Sequence, residues 1–508
     1  MISSRVQKSK VNFAVAAVCQ LVTTLLSFVT RGLFVNVLST NYLGISGLFT
    51  SVLTILSLAE LGIGNAMVYS LYRPIHDKDT YMISYYMNLF KKAYIIIVIG
   101  VVILGFAIIP FLHYFVKSPE GVTESIYTIY LFFLANSAIS YLLAYKRSII
   151  YADQKSYVIT ASTTVTHILQ LAFQYIILLY TKNYLLYLAI QIIMTLVTNA
   201  IVSIYVNKNY EIGKIRFTKY DRREEREKFL KNLKSLSISK IAGVVNSSAD
   251  NIITTQIISL TAVGYASNYY LVINAISHFV SNTMSGLTGS IGNLNADNDI
   301  KNREKVFNEL FVATYAVYYI ICSSIFALIN PLIYWWLGPQ YIFSNYVVAA
   351  IVLNIYIAGI NYPSYVFRTT SGYFKEATKF YVASAILNIA LSVLFGKLWG
   401  LAGIYVATSV ARLMTSEISD GYYGVKYGAC SKPKTYFIKY YLFLFLIIAN
   451  SVLNYFLVSR IPIGGFCGLI IKSVTSVIFC TTTCLLIIGF TKSFRSLIER
   501  FINKKRRE

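Results

Sequence analysis

Apolar runs long enough to cross a bilayer alternate with short polar gaps along the whole chain, and nearly all fixed charge sits in the gaps. A bilayer core takes about 20 apolar residues per helix. On that measure the pattern predicts about fourteen spanning helices, near 11–38, 43–71, 93–116, 122–145, 156–181, 184–206, 236–259, 262–293, 306–337, 342–368, 377–398, 401–424, 435–458 and 464–490. The longer runs imply tilt or extension beyond the bilayer rather than a second crossing. The expected class is an all-α polytopic membrane protein. No stretch remains that would fold as a sizeable soluble domain.

Composition agrees: 56% of the 508 residues are hydrophobic and 13% are charged, with a mean hydropathy of +0.60. A formal charge of +24 raises the question of nucleic acid, but the placement of the charge answers it. With Arg5, Lys8 and Lys10 on the cytoplasmic side, every second gap is basic. Lys91 and Lys92, Lys146 and Arg147, Lys208 to Lys234, Lys301 to Lys305, Lys375 and Lys379, Lys426 to Lys439 and the tail from Lys492 all fall on that side. The alternate gaps offer only Lys117, Lys182, Lys397 and Arg460. This is the positive-inside rule, and it predicts an even number of spans with both termini cytoplasmic. The first apolar run has no small-residue cleavage site and is expected to be an anchor. The six cysteines show neither metal-ligand spacing nor a disulfide framework. No cofactor and no metal are implied.

The polar stretch 207–235 follows the sixth span and mixes both charge signs at helical spacing, which predicts a cytoplasmic linker with a short surface helix. An internal repeat places one lobe on each side of it. At an offset of about 219 residues, Thr30-Arg31-Gly32 meets Ala249-Asp250-Asn251. With one inserted residue, Leu43-Gly44-Ile45 then meets Val263-Gly264-Tyr265. Two pseudo-symmetric six-helix lobes are expected, 1–206 and 236–424, followed by two further helices over 425–490 and a basic tail over 491–508. Six spans per lobe keep orientation, so the repeats would be parallel.

Polar side chains facing lipid are costly, so stripes at steps of three or four residues should face a cavity or a neighbour. Such stripes include Gln20, Thr24, Ser27 and Arg31; Ser46, Thr50, Thr54, Ser57 and Glu60; Thr163, His167, Gln170 and Gln174; Ser247, Asp250 and Thr254; and Asn354, Asn361, Ser364 and Arg368. Aligned polar faces across both halves favour a hydrated central space over simple interhelical hydrogen bonds. Arg31 either is neutralised by Glu60 or Asp250, waits for an anionic substrate, or snorkels outward. Glu60 and Asp250 are candidate ion-coupling acids, a static pair with Arg31 being the other reading. Arg412 is placed to pair with Glu417 or Asp420. No phosphate-binding glycine loop, zinc-hydrolase motif or nucleophile elbow is present.

The patches Asn41-Tyr-Leu-Gly-Ile-Ser-Gly-Leu-Phe49, Ala59-Glu-Leu-Gly-Ile-Gly-Asn-Ala-Met-Val-Tyr-Ser-Leu-Tyr-Arg-Pro74, Ser248-Ala-Asp-Asn-Ile-Ile253, Phe367-Arg-Thr-Thr-Ser-Gly-Tyr-Phe-Lys375 and Trp399-Gly-Leu-Ala-Gly-Ile404 resemble bacterial polysaccharide repeat-unit flippases. These form the polysaccharide transporter branch of the multidrug/oligosaccharidyl-lipid/polysaccharide exporter superfamily. The resemblance implies two six-helix lobes around a cationic cavity in the bacterial cell membrane. It implies turnover of an undecaprenyl-diphosphate-linked oligosaccharide from the cytoplasmic to the outer leaflet, for capsule, exopolysaccharide or O-antigen. Substrate-binding candidates are Arg31, Arg368, Arg412, Gln20 and Asn361, with Glu60 and Asp250 as acidic partners. Membrane lipids, a polysaccharide polymerase and other assembly proteins are the implied partners. A cation-coupled drug exporter of the same superfamily and a membrane polymerase are the alternatives; the short outward gaps count against an enzyme.

Overall fold

The computed structural model describes residues 2–57, 63–116, 121–213, 241–245, 248–285, 288–296 and 299–505. The described residues are almost wholly helical, and none forms a strand. The chain divides into two compact units, Met1–Phe279 and Val280–Glu508.

The first unit holds α1 (Ile2–Val37), α2 (Thr40–Leu56), α3 (Ile63–His76), α4 (Thr80–Ile108), α5 (Leu112–Phe115), α6 (Ile126–Leu142), α7 (Arg147–Ala152), α8 (Ser156–Tyr180) and α9 (Tyr184–Asn209). It continues through a helical run over 248–257 into α10 (Leu260–Ser285), which ends in the second unit. Helix starts carry side-chain caps: Asp79 accepts from the Met82 amide at 2.9 Å and Asn183 from the Leu186 amide at 3.0 Å. Such caps satisfy donors that a helix leaves orphaned. α1 packs along α8, and α9 is sandwiched between α8 and α6.

The second unit holds α11 (Thr288–Ala296), α12 (Ile300–Leu337), α13 (Asn345–Ile360), α14 (Tyr362–Thr370), α15 (Lys375–Met414), α16 (Ser416–Tyr423), α17 (Pro433–Ser459), α18 (Gly465–Ile488) and α19 (Lys492–Lys505). α12 is its spine, packing against α13, α17 and α18. Tyr315, Tyr319, Phe307 and Phe311 on α12 are fully buried, and the Tyr315 and Phe443 rings stack at 3.8 Å. Gly400 breaks α15 with φ 63° and ψ −143°, a conformation closed to residues with a Cβ. The two expected spans 377–398 and 401–424 meet at that break.

This is a multi-pass membrane protein, but fourteen separate spans are not all seen. Ten helices among the described residues are long and apolar enough to cross, with Lys375–Gly428 counted once. The expected span 43–71 consists of α2 and α3 with 58–62 between them outside the described residues. The expected span 262–293 consists of α10 and α11. The expected surface helix at Lys219 to Leu230 and the acid Glu60 also lie outside the described residues.

Candidate functional site

Two polar centres stand out, one in each unit. In the first, Arg31 projects from α1 about one and a half turns before the helix ends at Val37. Its Nη1 donates to Ser267 Oγ at 2.9 Å and, more weakly, to Asn268 Oδ1 at 3.5 Å. Both acceptors belong to α10 and both are neutral. The half-buried Asp250 lies in the helical run before α10. The wall beside Arg31 is aromatic. Phe34, one turn along α1, packs edge-on against Tyr184 and Tyr187 of α9 at 6.0 and 5.2 Å. Tyr184 exchanges a 2.6 Å hydrogen bond with Ser46. Below Arg31 on α1, Gln20 donates to Thr24 at 3.3 Å.

Asn268 is fully buried, with no acceptor for its Nδ2 among the described residues. A nearby Asn251 amide donates to Ser51 at 2.9 Å, so α2 and the run before α10 also meet through polar groups. His167 and His278 are exposed rather than part of this centre.

In the second unit the sequence places Pro363 at the start of α14, which breaks α13 from α14 at Asn361. The break aims Asn361 at α16. Asp420 is fully buried there and accepts three hydrogen bonds: Arg368 Nε at 2.7 Å, Asn361 Nδ2 at 2.8 Å and Tyr381 OH at 2.7 Å. Arg368, 4% exposed, also donates to the Tyr373 carbonyl at 2.8 Å and lies over the Tyr365 and Tyr381 rings. Its charge is therefore matched in place. A buried pair with further hydrogen bonds is strongly coupled, and removing one member leaves an uncompensated charge.

The partner of Asp420 is thus Arg368 and not Arg412, one of the pairings the sequence suggested. Arg412, near the end of α15, is half-buried and acts on Glu417 through charge. Glu417 is 5% exposed, and its Oε2 has no hydrogen-bond partner among the described residues. The structure brings Asn361 and Arg368 together, and the residue that joins them, Asp420, was legible as an intramembrane acid, the kind that by default needs a partner. Gln20 and Arg31 share α1, on the first unit.

Residues 9–286 match the family model described as "polysaccharide biosynthesis protein". The fold is that of a membrane transporter, and the chain belongs to that polysaccharide biosynthesis family. The lipid II flippase MurJ in its inward closed conformation is 15% identical, aligned over 93% of this chain and 99% of that one, with a TM-score of 0.61. An inward-facing multidrug resistance MATE family transporter of the MOP superfamily is 12% identical over 82% of this chain and 98% of that one, with a TM-score of 0.57. The Vibrio cholerae MATE transporter VcmN in the bent form is 16% identical over 84% and 98%, with a TM-score of 0.53. These proteins are described as transporters and a flippase, not as enzymes. No curated protein sequence matches the chain.

Proposed function

We propose that this protein flips an undecaprenyl-diphosphate-linked oligosaccharide repeat unit from the cytoplasmic to the outer leaflet of a bacterial cell membrane, by alternating access, in cell-surface polysaccharide assembly. The observation that carries the reading is Arg31: a cation well inside a spanning helix whose described acceptors, Ser267 and Asn268, are neutral. An intramembrane cation is costly, and a diphosphate would complete its charge. Arg is suited to that task because its planar fork matches phosphate oxygens. The lipid tail would stay in the bilayer while the head passes between lobes 1–206 and 236–424.

Gln20 and the α1 face below Arg31 supply sugar-facing hydrogen bonds in this reading. Arg368, held by Asp420, keeps α14 and α16 together rather than meeting the diphosphate, and Asn361 shares that network. Arg412 stays a candidate for the substrate, and Asp250 and Glu60 for a coupling ion. A polymerase and other assembly proteins would receive the unit. The family supports this reading over drug export. The test is transbilayer movement of an undecaprenyl-diphosphate oligosaccharide in proteoliposomes. Protein-dependent movement supports it; folded protein that moves none of several glycans but exports cationic drugs overturns it.

A further inference from the structure

Only two basic side chains are buried among the described residues, Arg368 and Lys146. Arg368 has a carboxylate at 2.7 Å. Lys146 has none within ion-pair distance among the described residues: its Nζ donates to Ser203 Oγ at 2.6 Å and Asn207 Oδ1 at 2.8 Å. The next residue repeats the arrangement. Arg147 Nη2 donates to Asn199 Oδ1 at 3.1 Å, and its buried Nε has no acceptor among the described residues.

The three acceptors, Asn199, Ser203 and Asn207, fall at steps of four along α9 and so form one face. That face presents only neutral dipoles to two adjacent cations. Buried charges in proteins are ordinarily paired, and neutral acceptors offset only part of the desolvation. α4, which carries Lys91, packs against the turn at 144–146 and brings a third positive charge beside Lys146. The carboxylate that local sequence offers is engaged elsewhere. Asp153 pairs with Lys155 at 2.7 Å, holding that ammonium above its usual value, and accepts from Tyr210 at 2.7 Å. The remaining neighbours, Lys208 and Glu211, are exposed. They line, with Asn207 and Tyr210, an open cavity of about 440 Å³ at the end of α9.

We propose that Lys146, Arg147 and Lys91 form a phosphate-binding site at the basic end of the first unit, separate from Arg31, which takes the phosphate of a lipid headgroup. Arg147 offers the free Nε–H edge of its fork to one oxygen, and the two ammonium groups act as point charges. α1 starts at Ile2 and carries Arg31 29 residues, roughly 44 Å, along its axis. The headgroup thus meets Lys146 and Arg31 at different depths. The site does not depend on what the protein transports, because an anionic phospholipid and a lipid-linked diphosphate present the same phosphate oxygens.

The test is native mass spectrometry of the full chain in detergent, titrated with undecaprenyl diphosphate, phosphatidylglycerol and phosphatidylcholine. Three variants are compared with wild type: Lys146→Met/Arg147→Gln, Arg147→Gln alone, and Arg31→Gln. Wild type should bind the diphosphate lipid or phosphatidylglycerol roughly tenfold more tightly than phosphatidylcholine. The double variant should lose that preference, and Arg31→Gln should leave one bound phospholipid in place. Preference for phosphatidylglycerol alone assigns the site to membrane lipid, and preference for the diphosphate assigns it to cargo. Equal binding of all three lipids by wild type, or an unchanged preference in the double variant, overturns the site. Should the double variant fail to fold, Arg147→Gln decides: an undiminished preference there overturns the site equally. Wild-type protein that keeps this binding yet moves no oligosaccharide in proteoliposomes would instead count against the proposed function and not against this site.

Discussion

Gly44 and Gly264 face each other where α2 and α10 cross: a Cβ on Gly264 would stand 3.2 Å from the Gly44 amide nitrogen and 2.6 Å from the Thr40 carbonyl oxygen. The relation is reciprocal. A Cβ on Gly44 would overlap the carbonyl of Leu260. Thr40 precedes Gly44 by one helical turn, as Leu260 precedes Gly264, and Thr261 donates to Asn41 at 2.7 Å between them. Matched residues touching their own counterparts are what a pseudo-twofold between the two repeats would produce. The crossing lies just beyond Arg31 on the chain.

Substituting Gly44 tests that contact. Valine at this position would drive α2 away from the Leu260 backbone, and overpacking of this kind costs about 1–3 kcal/mol. Cysteines at Asn41 and Thr261 should cross-link readily in the parent and roughly fivefold less in Gly44→Val. Equal cross-linking would mean the contact is not what holds the crossing shut.

Asp420 and Glu417 lie one turn apart on α16 yet should respond oppositely. Asp420→Asn leaves Arg368 buried without its counter-charge, so thermal stability in detergent should fall by about 3–5 kcal/mol. Glu417→Gln removes a buried carboxylate with one oxygen unpartnered, so stability should hold or rise. A loss at Glu417 equal to that at Asp420 would show that Glu417 has a partner of comparable strength.

Gly400 offers a backbone-only test. Its φ of 63° and ψ of −143° suit glycine, while a Cβ there would meet nothing within 4 Å. Gly400→Ala should therefore destabilise by about 1–3 kcal/mol through strain alone, read as a lowered melting midpoint. An unchanged midpoint would mean the break relaxes to ordinary helix.

Much of the fold was legible because bilayer thickness imposes a length on every crossing and the basic gaps alternate with them. α1, α8, α9, α12, α17 and α18 fall where the apolar runs placed them. The breaks were less legible. Hydropathy runs on through Asn361, where backbone geometry, not polarity, ends one helix and begins another. At the polar centres, residue type and spacing identified Arg31, Asn361 and Arg368 but not their partners. Ser267 and Asn268 lie 236 and 237 residues from Arg31, a distance that no helical period can report. Lys146 and Arg147 looked like topology charges because burial is not written in a basic gap; the face of Asn199, Ser203 and Asn207 on α9 was the available signal.

The most direct measurement is the rate of undecaprenyl-diphosphate oligosaccharide movement in proteoliposomes for wild type, Arg31→Lys and Arg31→Ala. Arg31→Ala should lose at least about tenfold, as expected for removing a charge-assisted contact. Arg31→Lys, which keeps the charge but not the fork, should lie between. Movement by Arg31→Ala at the wild-type rate, with the protein folded, would contradict a phosphate-handling role for Arg31.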